Sequence, residues 1–315
     1  MLMQGFRNVL FVTEGNRNEH AALLHLAEDL QASGGKLTLI DVVQEAPAAY
    51  ASLPMKGGLA KLQKTIVKER SGVLKQMAAE LSVQLPGLQV RSLVREGTDF
   101  LEIIRQAQKG KHDLVAKVAG DEGRIEGLLF GTLDMNLLRK CAVPVLILKG
   151  RKKVKSNRVV AAVDLVRSDA GRAGLDRQVV DLAALVARRS EGRLDILHAW
   201  HLPFEKLLRT DELDRDFGTV DTMLRELRSK EQHELDSLAS DFADLAPDLH
   251  LIKGKPQDVI PRFIRNHRVQ LVVMGTVGRS GVAGLFIGNT AEKILLNLNC
   301  SVLALKPAGF KSPVL

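Results

Sequence analysis

The chain has 315 residues, room for about two domains of ordinary size, with 45% apolar residues, a formal net charge of +8 and a mean hydropathy of 0.00. No apolar run approaches the roughly 18–20 residues that span a bilayer, and the opening MLMQGFRNVLFVTEG passes from a short apolar stretch straight into polar residues, unlike a secretory leader. Aromatics, at 4%, are too few for the stacking platforms of a nucleic-acid surface, so the expectation is a soluble, cytoplasmic protein with neither membrane nor nucleic-acid partners.

In chain order, the first signal is a short apolar strand closed by an acid, Val9-Leu-Phe-Val-Thr-Glu14. A helical pattern follows over 21–31, then a second strand, Lys36-Leu-Thr-Leu-Ile-Asp41. Leu59, Leu62, Ile66, Leu74, Met77 and Leu81 recur at mostly helical spacings and predict a long amphipathic helix. Arg95-Glu-Gly97 leads into a further helix, Asp113-Leu-Val-Ala into a strand, and Val145-Leu-Ile-Leu-Lys149 closes the set. Arg151, Lys152, Lys153 and Lys155 crowd the stretch that follows, which reads as a solvated linker over 150–157.

After the linker the signals repeat. Val159-Val-Ala-Ala-Val-Asp164 matches the first strand and its acid, 175–188 the first helix, Arg193-Leu-Asp-Ile-Leu-His198 the second strand, and 223–245 the long helix. Gly127-Leu-Leu-Phe-Gly131-Thr matches Gly284-Leu-Phe-Ile-Gly288-Asn at an offset of 157, and Val145–Lys149 matches Val302–Lys306 at the same offset. Two units follow, 1–150 and 157–310, of ordinary domain size. Short apolar strands alternating with helices make each a doubly wound, mostly parallel α/β sheet. Ligands of such sheets bind beyond the carboxyl ends of strands where the strand order reverses, which directs attention to Glu14 and Asp164.

The chemistry-bearing stretch is GTVGRSGVAGLFIGNT, residues 275–290. Glycines let backbone approach a ligand closely, successive amides form anion-holding nests, and a helix start adds free N–H groups and partial positive charge. The stretch is neither a Walker loop nor a dinucleotide fingerprint. A competing reading has Asn289 capping the helix with Glu292 as the return partner of a capping box.

The arrangement Gly275-x2-Gly278-x9-Gly288-Asn289, with Asp164 after a first strand, resembles the universal stress protein family, whose nucleotide-binding members carry G-x2-G-x9-G-[S/T]. The likeness covers both halves. The stretches GTVGRSG, GNTAE and Leu138-Arg-Lys-Cys141 ahead of VPVLILK look most like its E branch. The resemblance implies two tandem five-stranded parallel sheets of the adenine nucleotide alpha hydrolase-like type, paired as an intramolecular pseudo-dimer through their last strands. It leaves open a further homodimer. It also implies ATP or another adenine nucleotide as ligand of the second half. Asp164 and Ala199 would meet adenine or ribose, and Met274, Gly275, Gly278, Gly288, Asn289 and Thr290 the phosphates.

Asn289 stands where the family has Ser or Thr. In the first half Lys117-Val118-Ala-Gly-Asp121 replaces Met274-Gly275-Thr-Val-Gly278, so no nucleotide is expected there. Alternatives are a nucleotide-free scaffold for unknown protein partners and a small ligand near Leu128, Leu129 and Phe130. No general base for hydrolysis is evident, so slow ATPase activity is the most that is expected. Cys141 and Cys300 read as packed thiols, Lys149 and Lys306 as solvated strand ends, Arg279 as a surface residue open to a phosphate, and 211–216 as an acidic loop. If His198 and His201 share a strand, their odd spacing puts them on opposite faces, so they make no obvious metal pair and each reads as a strand-end or loop residue.

Overall fold

The computed structural model describes residues 5–15, 19–45, 58–120, 130–149, 157–165, 170–210, 218–277 and 287–314, with only the backbone for 170–173. The leading strands of the two halves are β1 (Asn8–Val12) and β6 (Arg158–Val163). Both are almost wholly apolar because both faces are covered. Val9 and Phe11 face one apolar cluster and Leu10 and Val12 the other; Val159, Ala161 and Val163 alternate with Val160 and Ala162 in the same way. Phe11 is fully buried, so Phe11→Ala would cost about 3–5 kcal/mol.

The first half continues with α1 (Glu19–Ala32), β2 (Lys36–Val43), α2 (Gly58–Gln84), β3 (Gln89–Glu96), α3 (Asp99–Lys109), β4 (Leu114–Val118), α4 (Thr132–Lys140) and β5 (Val145–Leu148). The second half repeats the order with α5 (Ala170–Ser190), β7 (Arg193–Trp200), a short α6 (Glu205–Leu208), α7 (Thr219–Ala239), β8 (Asp248–Lys253), α8 (Pro256–Asn266), β9 (Leu271–Gly275), α9 (Asn289–Leu296) and β10 (Ser301–Leu305). The apolar cluster on one face draws on α1, α2, α5 and α7, and the one on the other face on α3, α4, α8 and α9. α3 starts with Asp99 and Glu102 and ends with Lys109, and α8 starts with Pro256; each suits the free N–H groups and dipole of a helix end.

The repeat extends to single bonds. Gly97 and Gly254 turn the chain out of β3 and β8 at φ +140° and +147°, a conformation side chains disfavour. Their amides donate to the Val43 carbonyl (3.1 Å) and the Trp200 carbonyl (2.8 Å) respectively.

The strand order is β3-β2-β1-β4-β5-β10-β9-β6-β7-β8. Each half contributes five parallel strands, and β5 pairs with β10 antiparallel, with Leu146 opposite Leu303. The expected pairing through the last strands therefore holds, and it welds the two sheets into one of ten strands. Lys149 and Lys306 close these strands differently. Lys149 is exposed, its amide on the Ser301 hydroxyl (3.1 Å) and its ammonium on the Asn299 carbonyl. Lys306 corrects the expectation of a solvated strand end. It is buried, and it donates to the Leu138 carbonyl near the end of α4 (2.9 Å) and lies 4.9 Å from the centre of the Phe310 ring. The helix end and the ring favour its charge, yet burial pushes its pKa down to about 7. Cys141 and Cys300 are buried free thiols, as expected, their pKa values pushed up to about 12 by burial.

Candidate functional site

In the second half the strand order reverses between β6 and β9. At the carboxyl ends of these strands lies a cleft of about 520 Å³, within the range of small-molecule sites. Asp164, Ala199, Met274, Gly275, Gly288, Asn289 and Thr290 all line it. Gly278 lies outside the described residues, as do Arg279, the acidic stretch 211–216, and Leu128 and Leu129; Phe130 is buried in the core. The cleft is also lined by Leu175 and Asp176 of α5, His201 after β7, and Lys255 and Gln257 at the start of α8. Sequence reasoning did not single these out for the site. The start of α8 was legible as a glycine followed by Lys-Pro, but its convergence on β6 and β9 follows from strand order.

The strand end that carries Asp164 is held from α5. The Asp176 carboxylate accepts the N–H groups of Asp164 (3.1 Å) and Leu165 (3.0 Å). Burial pushes the Asp176 carboxyl above its usual range, against the pull of those bonds. Glu19 does the same in the first half, accepting the Glu14 N–H (3.1 Å) and the Thr13 hydroxyl (2.6 Å), with its pKa likewise raised by burial. His198 is buried between the Val163 carbonyl (3.0 Å) and Glu231 of α7 (3.2 Å), whereas His201, past the end of β7, lines the cleft. At Gly275 a Cβ would stand 2.7 Å from the Leu175 side chain, so the missing side chain keeps β9 and α5 close.

The start of α9 replaces the capping-box expectation. Gly288 is the N-cap (φ −74°, ψ 141°) and Asn289 the first helical residue, exposed at the cleft. Glu292, rather than returning to Asn289, turns away to an ion pair with Arg139 of α4 in the other half. The Gly288 N–H is committed to the Thr276 carbonyl (2.9 Å), whose own amide is pinned to the Leu305 carbonyl (3.0 Å). The amides with no intrahelical acceptor are thus those of Asn289, Thr290 and Ala291, and the helix dipole makes this end favourable to anions.

The equivalent place in the first half is filled from within. Lys117, at the position of Met274, is 2% exposed, and its ammonium has three oxygen partners: Glu14 (3.2 Å), Asp134 (3.1 Å) and the Val118 carbonyl (3.0 Å). The other oxygen of Asp134 accepts the Gly131 N–H at the start of α4 (3.1 Å). An internal carboxylate thus sits at the helix start, an internal ammonium neutralises it, and a Cβ on Gly120 would stand 2.7 Å from the Glu14 carboxylate. In the second half Met274 and Ala291 replace this pair and the cleft is open.

Comparison with known proteins agrees with this internal repeat. The family model described as the universal stress protein family matches twice, over residues 5–149 and 155–306. The chain belongs to the universal stress protein family. It is of the tandem, two-domain type. Universal stress protein E of Escherichia coli K12 is 25% identical over 99% of this chain and 98% of its own length. Universal stress protein E of Photorhabdus laumondii is 26% identical over the same shares. Among solved structures, a universal stress protein from Pseudomonas aeruginosa UCBPP-PA14 covers 96% of this chain and 94% of its own at a TM-score of 0.72 and 22% identity. One from Archaeoglobus fulgidus covers 96% and 97% at 0.65 and 16%. These structures share the fold of this universal stress protein.

Proposed function

We propose that this universal stress protein binds ATP or another adenine nucleotide in its second unit, residues 157–310, and uses it as a switch ligand in the cytoplasm. One observation carries the reading: the cleft between β6 and β9 sets a carboxylate, Asp164, against a helix start whose first amides have no intrahelical acceptor. Carboxylates after first strands of nucleotide folds take ribose hydroxyls, and helix starts take phosphates. In this reading Asp164 and the Ala199 backbone meet the nucleoside. Met274, Gly275, Gly278, Asn289 and Thr290 surround the phosphate chain, and Gly288 shapes the turn rather than donating to it. Asn289, standing where the family has a hydroxyl, offers an amide N–H donor from an exposed position at the cleft.

The first unit, residues 1–150, binds no nucleotide by this route, because Asp134 already occupies the helix start and Lys117 pairs with it. The proposed role is binding, with slow ATP hydrolysis at most. Among the described residues no helix is long and apolar enough to cross a membrane. The test is calorimetric titration of the whole chain with ATP, beside Asp164→Ala and Gly288→Val. The expected result is one site per chain, weakened at least tenfold in both variants. Absence of heat and of any thermal shift with ATP in the parent would end this reading in favour of a nucleotide-free scaffold.

A further inference from the structure

The first turn of α9 carries an acid, Glu292, next to the cleft-lining Ala291, and a carboxylate there opposes the binding of any anion. Its main chain is tied into the helix, with the Glu292 N–H donating to the Gly288 carbonyl (2.9 Å). Its side chain reaches across the junction of the halves to Arg139, near the end of α4 in the first half. Each side chain is about a third exposed.

The pair is one-sided. At the offset of 157 that relates the halves, Arg139 corresponds to Leu296 and Glu292 to Met135. Met135 belongs to the apolar cluster of that face and Leu296 packs against it. A symmetric junction would present the ion pair twice; here it involves the helix that starts at the open cleft and not its counterpart α4 in the same role. Nearby, the Lys306 ammonium on the Leu138 carbonyl fastens the same end of α4 to the second half, so the place from which Arg139 reaches out is fixed by a second bond across the junction.

We infer that Arg139 of the first half is a positioning residue for the anion site of the second: it holds the Glu292 carboxylate away from the cleft and cancels its charge. The half in which Lys117 and Asp134 occupy the equivalent place thereby sets the affinity of the other half for phosphate. The inference rests on the reading of the cleft as a phosphate site. Freed of Arg139, Glu292 would set a whole negative charge beside the amides at the start of α9. Like charges about 8 Å apart, screened almost as in bulk water, weaken binding about twofold to threefold per ligand charge, less at high salt.

The experiment titrates the full chain with ATP, AMP and inorganic tripolyphosphate at low salt. The parent, Arg139→Ala, Glu292→Gln and the double variant are compared, with thermal unfolding to show that each is folded. Arg139→Ala should weaken ATP and tripolyphosphate about threefold to tenfold and AMP less. Glu292→Gln should restore binding in the Arg139→Ala background, which a purely structural role for Arg139 would not produce. Unchanged ATP affinity in folded Arg139→Ala, or a loss that Glu292→Gln fails to restore, overturns the inference and leaves the nucleotide reading standing. A parent that binds tripolyphosphate and not ATP removes the nucleotide reading, and the variants then decide the inference on tripolyphosphate. A parent that binds neither overturns both.

Discussion

Lys117→Met copies into the first half the residue that the second half carries at the same place, and the structure fixes what it should do. Methionine fills the space of the lysine stem, so packing changes little. The loss is electrostatic. Asp134, 1% exposed, loses the ammonium 3.1 Å away and keeps only the Gly131 N–H and the start of α4. Removing one partner of a buried pair costs about 3–5 kcal/mol, and the helix start returns roughly 0.3–1 kcal/mol. Glu14, with about a third of its side chain exposed, is rehydrated and adds little. The net is about 3 kcal/mol, or roughly 5–10 °C in Tm for a chain of this size.

Without the ammonium the Asp134 carboxylate is left buried and unpaired, so Lys117→Met should be clearly less stable than the parent. Adding Asp134→Ala, the residue of the second half, removes the stranded charge and should return at least about 2 kcal/mol, a coupling a double-mutant cycle reads directly. Calorimetric unfolding of the four proteins at pH 8 measures all of this. A Lys117→Met protein within 1–2 °C of the parent at pH 8, on the scale set above, or additive single and double variants, would refute the account of the filled cleft.

Lys306, its pKa lowered by burial to about 7, binds fewer protons in the folded chain than in the unfolded one between that value and the ordinary lysine range. Its contribution to stability thus rises with pH above about 7. Lys306→Met should flatten that part of the parent's Tm profile between pH 7 and 10; an unchanged slope would count against it. Cys141 and Cys300 should give no reaction with a thiol reagent at pH 8 in the folded protein and two equivalents after denaturation, because burial keeps both as thiols. Asp195 is fully buried with Arg158 at 2.7 Å and His250 at 2.7 Å, so Asp195→Ala should lower stability by about 3 kcal/mol or more. Ligand affinity of the distant cleft should be untouched, and a loss of binding in folded Asp195→Ala would argue against that separation.

Much of the fold was legible because parallel strands buried on both faces read as unbroken apolar runs. Val9–Val12 and Val159–Val163 announce themselves, the offset that aligns Val145–Lys149 with Val302–Lys306 marks the repeat, and the pairing of those two strands was anticipated by the family resemblance alone. Seven of the eight candidate residues of the site meet in one cleft because strand ends and a helix start are local features. The rest depends on distance along the chain. Lys306 after a strand reads as solvated until the Leu138 carbonyl, 168 residues away, is folded against it. Glu14 was legible as the acid after a strand and Lys117 as a departure from the second half, but their meeting with Asp134 comes only when β1, β4 and α4 converge. Asn289 illustrates a finer limit: one position separates an N-cap from a first helical residue, and the pattern Asn-x-x-Glu does not distinguish them.

The antiparallel seam between β5 and β10 has a consequence for how such a chain can change. Two separate copies meeting along this edge would have to carry every residue twice, so a lysine that closes one cleft would close both. Joined by a linker, the strands find each other at an effective concentration independent of how much protein the cell holds, and the partners need no longer be alike. One sheet can then give up its ligand and keep the seam, while a single arginine on that side acts on the other.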